Sequence, residues 1–166
     1  TSIDAIDSND VSMSAAAITV TNTASLSDAT TLNGFTTSKV TLQKVEDTVS
    51  NITSIDAIDS NDVSMSAAAI TVSDAASLTD ATAINDFTTG KVTLSSVEDT
   101  YSNIQSIKSI PDAQVDMGAA AVKVSDNVTK TEVDDLRTDT TGNITLTSLT
   151  EDKGDLATIA GFSDVI

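Results

Sequence analysis

The sequence predicts a repeat solenoid built from parallel β-strands and short helices, and three observations lead there. First, the 166-residue chain repeats with a period of 52, and residues 2–53 and 54–105 align without a gap and agree at 40 of 52 positions. A fixed period of this kind marks units that stack, each covering the apolar face of its neighbour. Second, each copy holds two similar halves that open on an apolar–Thr–apolar triplet, a β-strand signal. Third, the 39% hydrophobic content comes mostly from Ala, Val and Ile, with only three Phe and one Tyr. A compact globule of this length normally uses more aromatic residues in its core, whereas thin coils are filled by small and β-branched side chains.

The boundaries follow the period. Residues 1–53 form repeat 1, 54–105 repeat 2 and 106–157 a diverged repeat 3, with 158–166 the start of a further repeat or a cap, all stacked as one continuous solenoid. By strict count, residue 166 falls at the phase of residue 10, so the chain starts and stops inside a repeat and reads as a piece of a longer array. In the first copy Ile18-Thr19-Val20 is a strand. Ser25-Leu26-Ser27-Asp28 then opens a helix, with an N-cap Ser and an acid three residues on. Leu26, Ala29 and Leu32 fall at helical spacing, and Asn33-Gly34 supplies turn chemistry. Val40-Thr41-Leu42 is the second strand. After Glu46-Asp47-Thr48, the spacing of Val49, Ile52 and Ile55 predicts a second short helix or a tight coil.

The run Ser54 to Ser66 is ambiguous and reads as strand, Asn61-Asp62 turn, strand. The second copy repeats the plan: Ile70–Val72, the cap Ser77-Leu78-Thr79-Asp80, helical Leu78, Ala81 and Ile84, the turn Thr89-Gly90, Val92–Leu94, then Tyr101, Ile104 and Ile107. In the third copy the strands are Val122–Val124 and Ile144–Leu146, and Thr129-Lys130-Thr131-Glu132 keeps the cap chemistry while its other residues change.

Strand starts at 18, 40, 70, 92, 122 and 144 step alternately by 22 and 30 residues, about one turn of a β/α solenoid. Right-handed winding is the default for a strand–crossover–parallel strand unit. Six turns at about 4.8 Å each make a rod on the order of 30 Å long. The alternative is a parallel β-helix with three strands per 52-residue repeat and helical corners.

A net charge of −17 disfavours nucleic acid and anionic membranes as partners, since both need basic patches. There is no Cys, hence no disulfide framework or zinc–thiolate site. No apolar run approaches 18 residues, so membrane insertion is not expected. With no His there is no imidazole base and no Ser-His-Asp triad. A paired-carboxylate glycosidase would want aromatic platforms that the chain lacks, so an enzyme is not expected.

One candidate site remains. Asp4, Asp7, Asn9 and Asp10 recur as Asp56, Asp59, Asn61 and Asp62. Such hard oxygen ligands could hold calcium, and stacking would bring like carboxylates together for a cation to relieve. The simpler reading is a solvated acidic turn, with Asp and Asn serving turn geometry. The Gly-Gly-x-Gly-x-Asp nonapeptide of calcium β-rolls is absent, and Lys108 and Pro111 break the pattern in the third copy. The Thr at the middle of each strand triplet, Lys123 excepted, faces outward as a good β residue; an ice-binding face is the remote alternative.

The run Ser54-Ile55-Asp56-Ala57-Ile58-Asp59-Ser60-Asn61-Asp62 resembles the D-x-I-D-A-x-D-N unit of very long repeat proteins from proteobacteria and cyanobacteria. Val97-Glu98-Asp99-Thr100-Tyr101-Ser102-Asn103-Ile104 is similar to their DTAANI-type unit, and Gly90-Lys91-Val92-Thr93-Leu94 to their T-x-G-x-V-T strand. The resemblance covers nearly the whole chain and carries no catalytic residue across. It implies a large, acidic, Cys-poor protein exported to the cell surface, often by a type 1 route. The expectation is therefore an extracellular or cell-surface structural segment serving extension, assembly into a filament or lattice, or adhesion. Its partners would be neighbouring repeats or identical subunits. A calcium-binding adhesin module and a viral fibre segment are the alternatives.

Overall fold

A computed structural model of the chain describes residues 13–58 and 61–166. In chain order the elements are β1 (Ile18–Ala24), α1 (Leu26–Phe35), β2 (Val40–Asp47), α2 (Val49–Asp56), β3 (Val63–Ser64), β4 (Ala69–Ala76) and α3 (Leu78–Phe87). They continue as β5 (Val92–Asp99), α4 (Tyr101–Lys108), β6 (Val115–Asp116), β7 (Ala121–Val128), α5 (Lys130–Asp139), β8 (Ile144–Leu149) and α6 (Lys153–Ile159). The strands form one sheet in the order β1-β2-β4-β5-β7-β8, with β3 on β2 and β6 on β5, and every pairing is parallel. Helices alternate with these strands, so the chain is a β/α parallel fold whose successive strands are spatial neighbours. We call each strand with its following helix a layer.

The apolar triplets set the register. Ile18 lies opposite Val40 and Val20 opposite Leu42, after which the register shifts before Thr23. The same irregularity returns at Val72/Ala75 and Val124/Asn127, one period apart. Alternation turns Val40 and Leu42 inward, and a change of phase at the register shift turns Val45 inward as well; they meet Ile52 and Ile55 of α2, and all five are essentially buried. The second copy builds the same core from Val92, Leu94, Val97, Ile104 and Ile107. No helix among the described residues is long and apolar enough to cross a membrane.

Several expectations need correcting. The run from Ser54 does not begin as a strand: α2 extends through Asp56, because Ile52 and Ile55 continue the helical stripe begun at Val49. The Asn61-Asp62 turn does follow, but the strand after it is only the two residues of β3. Counted from β1, the first two periods described therefore hold three strands each, one of them minimal, together with two helices, while the third holds two strands and an isolated bridge at Val165. Val63 pairs with Val40 and Ile70 with Val45, so β3 and β4 share one layer, and Met65 and Ala68 between them turn back into the core. Asn33-Gly34 is not a turn. It lies inside α1, and the turn falls at Thr37-Ser38.

The phase of the chain end also differs from strict counting. Val165 bridges Ile144 as Val63 bridges Val40 and Val115 bridges Val92. The third copy is thus two residues short between Ile159 and Val165, and Ile166 stands where Ser64 stands. Arg137 holds this segment down, its guanidinium 3.8 Å over the Phe162 ring and its Nε 2.9 Å from Asp164. In the earlier copies the same position is Asn33 and Asn85.

Candidate functional site

The recurring polar construction of the molecule lies at the boundaries between layers. A helix begins with N–H groups that have no partner inside the helix. Here Ser25, Ser77 and Thr129 cap α1, α3 and α5 as full capping boxes with Asp28, Asp80 and Glu132, and Thr48 and Thr100 cap α2 and α4. These caps leave the first helical N–H free, and an acid from the next layer accepts it. Leu26 N–H donates to Asp47 at 2.9 Å, Val49 to Asp74 at 2.8 Å, Leu78 to Asp99 at 2.9 Å and Tyr101 to Asp126 at 2.8 Å. Lys130 N–H donates to Glu151 in the same way. Five successive layers are tied upward by this rung, with the negative charge at the end of the helix dipole that favours it.

Asp99 is the fullest example. Its Oδ1 accepts from Thr100 N–H and from the Asn103 side chain, both at 2.8 Å, while Oδ2 takes the Leu78 N–H. Asp47 repeats the arrangement with Leu26, Thr48 and Asn51. Loss of solvation pushes both carboxyls up. The Leu26 or Leu78 N–H, the Asn amide and the Thr N–H outweigh it and hold both below the ordinary aspartate value. Asp28 is lowered by the Ser25 N–H first and the Ser25 hydroxyl second.

A second tie crosses the same boundaries. Buried Thr88 donates its hydroxyl to Ala68 O at 2.7 Å and accepts from Gly90 N–H at 2.9 Å, while Thr89 N–H reaches Ser66 O at 2.9 Å. Thr36 and Thr140 do the same with Ala16 and Ala120. The approach is tight enough that a Cβ at Gly90 would sit 2.2 Å from Ala68 O, and one at Gly142 2.1 Å from Ala120 O. Charged side chains add exposed links, Lys91–Asp116 and Lys123–Glu98 at 2.6 Å each. Tyr101 donates to Asp135 at 3.0 Å and Gln105 to Asp139 at 2.7 Å, joining α4 to α5. Burial first, and then the Asp135 carboxylate, push the Tyr101 phenol up to about 12.

The acidic candidates fare differently. Asp4, Asp7, Asn9, Asp10 and Asp59 lie outside the described residues. Asp56 closes α2, exposed at its C-terminal end, with its carboxyl pushed up by partial burial. Asn61 and Asp62 form the exposed turn before β3. Among the described residues, no group of three acidic side chains gathers to hold a metal ion. Residues one period apart are separated by a whole intervening layer, roughly 9–10 Å along the stack, because β4 stands between β2 and β5. Like carboxylates of one phase are therefore not stacked directly on each other. In the outward rows Glu46 lies opposite Thr71 and Glu98 opposite Lys123.

The acid rung was not anticipated from the sequence. A signal exists, since Asp-Thr precedes both α2 and α4 and Glu151-Asp152 precedes α6. Recognising it needs the register, which brings residues 21 or 25 apart together. No protein-family model, curated protein or solved structure matches this chain.

Proposed function

We propose that the chain is a structural stacked-repeat segment of an extracellular or cell-surface protein, a right-handed β/α solenoid that supplies length and a rigid surface for extension, assembly or adhesion. The observation that carries this reading is the acid rung repeated at five layer boundaries. Each layer completes the hydrogen bonding of the one before it, so stability accrues boundary by boundary and length accrues with repeat number. The carboxylates of Asp47, Asp74, Asp99, Asp126 and Glu151 are engaged in holding layers together. The extracellular assignment rests on the sequence: an acidic, Cys-free chain with the repeat units quoted above.

Small-angle scattering of one, two and three covalently joined copies tests the mechanical claim. The phase of Val165 dictates the joint: Ile166 should be followed by Met13 of the next copy. The maximum dimension is expected to grow by roughly 29 Å per six layers at constant cross-section. A radius of gyration that grows only as a compact globule's does, near the 0.38 power of length, would overturn the reading.

A further inference from the structure

The third copy docks on the second, although the first offers it nearly the same surface. Copies one and two agree at 40 of 52 positions. Ile52 and Ile55 of α2 match Ile104 and Ile107 of α4, all buried, and β2 and β5 bury the same Val-Leu-Val set. Apolar packing therefore does not tell the layer of β7 and α5 which of the two to choose. A third copy seated on the first, with the second looped out, would cover the same kind of apolar surface. Misassembly of this sort is a characteristic failure of repeat chains.

The polar rim between α4 and α5 does distinguish the two. The Tyr101 hydroxyl donates to Asp135 at 3.0 Å, and the Gln105 side-chain amide donates to Asp139 at 2.7 Å. One period earlier the first pair of positions holds Val49 and Ala83, and the second holds Thr53 and Phe87. Ala83 and Phe87 have no acceptor to offer, so neither bond exists between α2 and α3. Both members of each pair differ from their counterparts, and Tyr101 and Gln105 are two of the twelve differences between copies one and two.

A third copy misplaced on α2 would set Asp135 against Val49 and Asp139 against Thr53, and both bonds would be lost. Lys123 does not choose between the two sites. It pairs with Glu98 at 2.6 Å, and Glu46 stands at the same phase in the first copy.

We propose that Tyr101–Asp135 and Gln105–Asp139 are registry pairs that assign the third copy to the second, so that near-identical layers stack in chain order. Both bonds end on carboxylates at a partly exposed rim, and together they favour correct over misplaced docking on the order of 10-fold. This ordering role does not depend on what the assembled segment is for.

Refolding of the full chain from urea tests it. Circular dichroism gives the amplitude of any slow phase, and size-exclusion chromatography gives the monomer recovered. Val49→Tyr with Thr53→Gln gives α2 the residues of α4 and leaves both native pairs intact. Its equilibrium stability is expected to match the wild type, while its slow-phase amplitude and its oligomers rise several-fold. Tyr101→Val with Gln105→Thr gives α4 the residues of α2 and is expected to raise both in the same way. Lys123→Thr is the control and should refold as the wild type does.

Wild-type phases and monomer yield in either double variant would overturn the proposal, so the test survives if one of them does not fold. A Lys123→Thr effect as large as theirs would overturn it too. If Tyr101→Val with Gln105→Thr lowered stability alone, without misassembly, the pairs would be simple ties between helices and the registry role would fall.

Discussion

Replacing Asp99 by Ala removes one acceptor that three donors share, two of them in its own layer and one in the layer below. Hydrogen bonds to a charged partner contribute about 1.5–3 kcal/mol each when well buried, and loss of an N-terminal cap costs about 1 kcal/mol. Asp99 is only half-buried, so water partly replaces what is lost. The expected cost is about 2–3 kcal/mol at pH 7, measured by urea unfolding. Asp99→Asn keeps an oxygen for the Leu78 N–H but loses the charge, and is expected to cost about half as much. The control is Glu98→Ala, which removes an exposed ion pair with Lys123 and should change stability by about 0.5 kcal/mol or less.

Amide hydrogen exchange adds a local readout, because the Leu78 amide should lose protection in Asp99→Ala while the Ile104 amide keeps most of its own. The pH dependence follows from the lowered carboxyl. A depressed folded value gives stability that is present above the unfolded value of about 3.9 and lost as pH falls through the folded one. The gap between wild type and Asp99→Ala should therefore be constant well above the unfolded value of about 3.9 and narrow as pH falls below it toward the lower folded value. A cost under about 0.5 kcal/mol with Leu78 protection unchanged would refute the idea that these acids tie layer to layer.

Further outcomes follow from the same geometry. Gly90→Ala should destabilise by about 1–3 kcal/mol, since its Cβ meets backbone at Ala68, whereas Gly34→Ala, with open space inside α1, should stabilise by up to about 1 kcal/mol. Urea unfolding of the pair decides it, and equal effects would count against the tight approach. Thr88→Val should cost about 1–2 kcal/mol, because it strands Ala68 O and Gly90 N–H in a buried place. Ile104→Ala should cost about 2–5 kcal/mol and Leu156→Ala less than about 1 kcal/mol, although both occupy one phase of the repeat.

How far the sequence reveals this fold depends on how local each signal is. The six longer strands and the capping boxes at Ser25, Ser77 and Thr129 were legible because their determinants lie within a few residues, whereas the caps Thr48, Thr100 and Asp152 and helix α6 were not anticipated. Ile70-Thr71-Val72 alternates, and Ser77 and Asp80 satisfy each other's backbone three residues apart. The run after Ser54 misled because the residues flanking the Asn61-Asp62 turn include β-branched ones that suit a strand, and the stripe of Val49, Ile52 and Ile55, spaced by three, decided for a helix only once it packed in the core. Asn33-Gly34 misled because turn-forming residues say nothing about where packing ends a helix. The rungs and the Thr88 contact were hidden because each joins residues 20 to 25 apart, a distance fixed only by register.

The twelve differences between the first two copies argue for the buried apolar interior as the part under constraint. In the first copy none of those twelve positions is buried, and in the second only Ile84 is. Positions 21 to 23 change to Ser73, Asp74 and Ala75 on an exposed stretch of strand, while Ala24 and Ala76, which are buried, stay the same. An interior layer must fit two neighbours at once, so a change in its apolar residues would have to be matched above and below. The third copy shows what happens where that demand relaxes. It keeps the buried apolar pattern at Val122, Val124, Val133, Leu136 and Ile144 and the acid at Glu151, yet its surface gathers Lys108, Lys123, Lys130 and Arg137. Arg137 then spends its charge on the Asp164 segment rather than on another layer. What persists through all three copies is the buried apolar pattern together with the acid that accepts the first helical N–H of the layer before it.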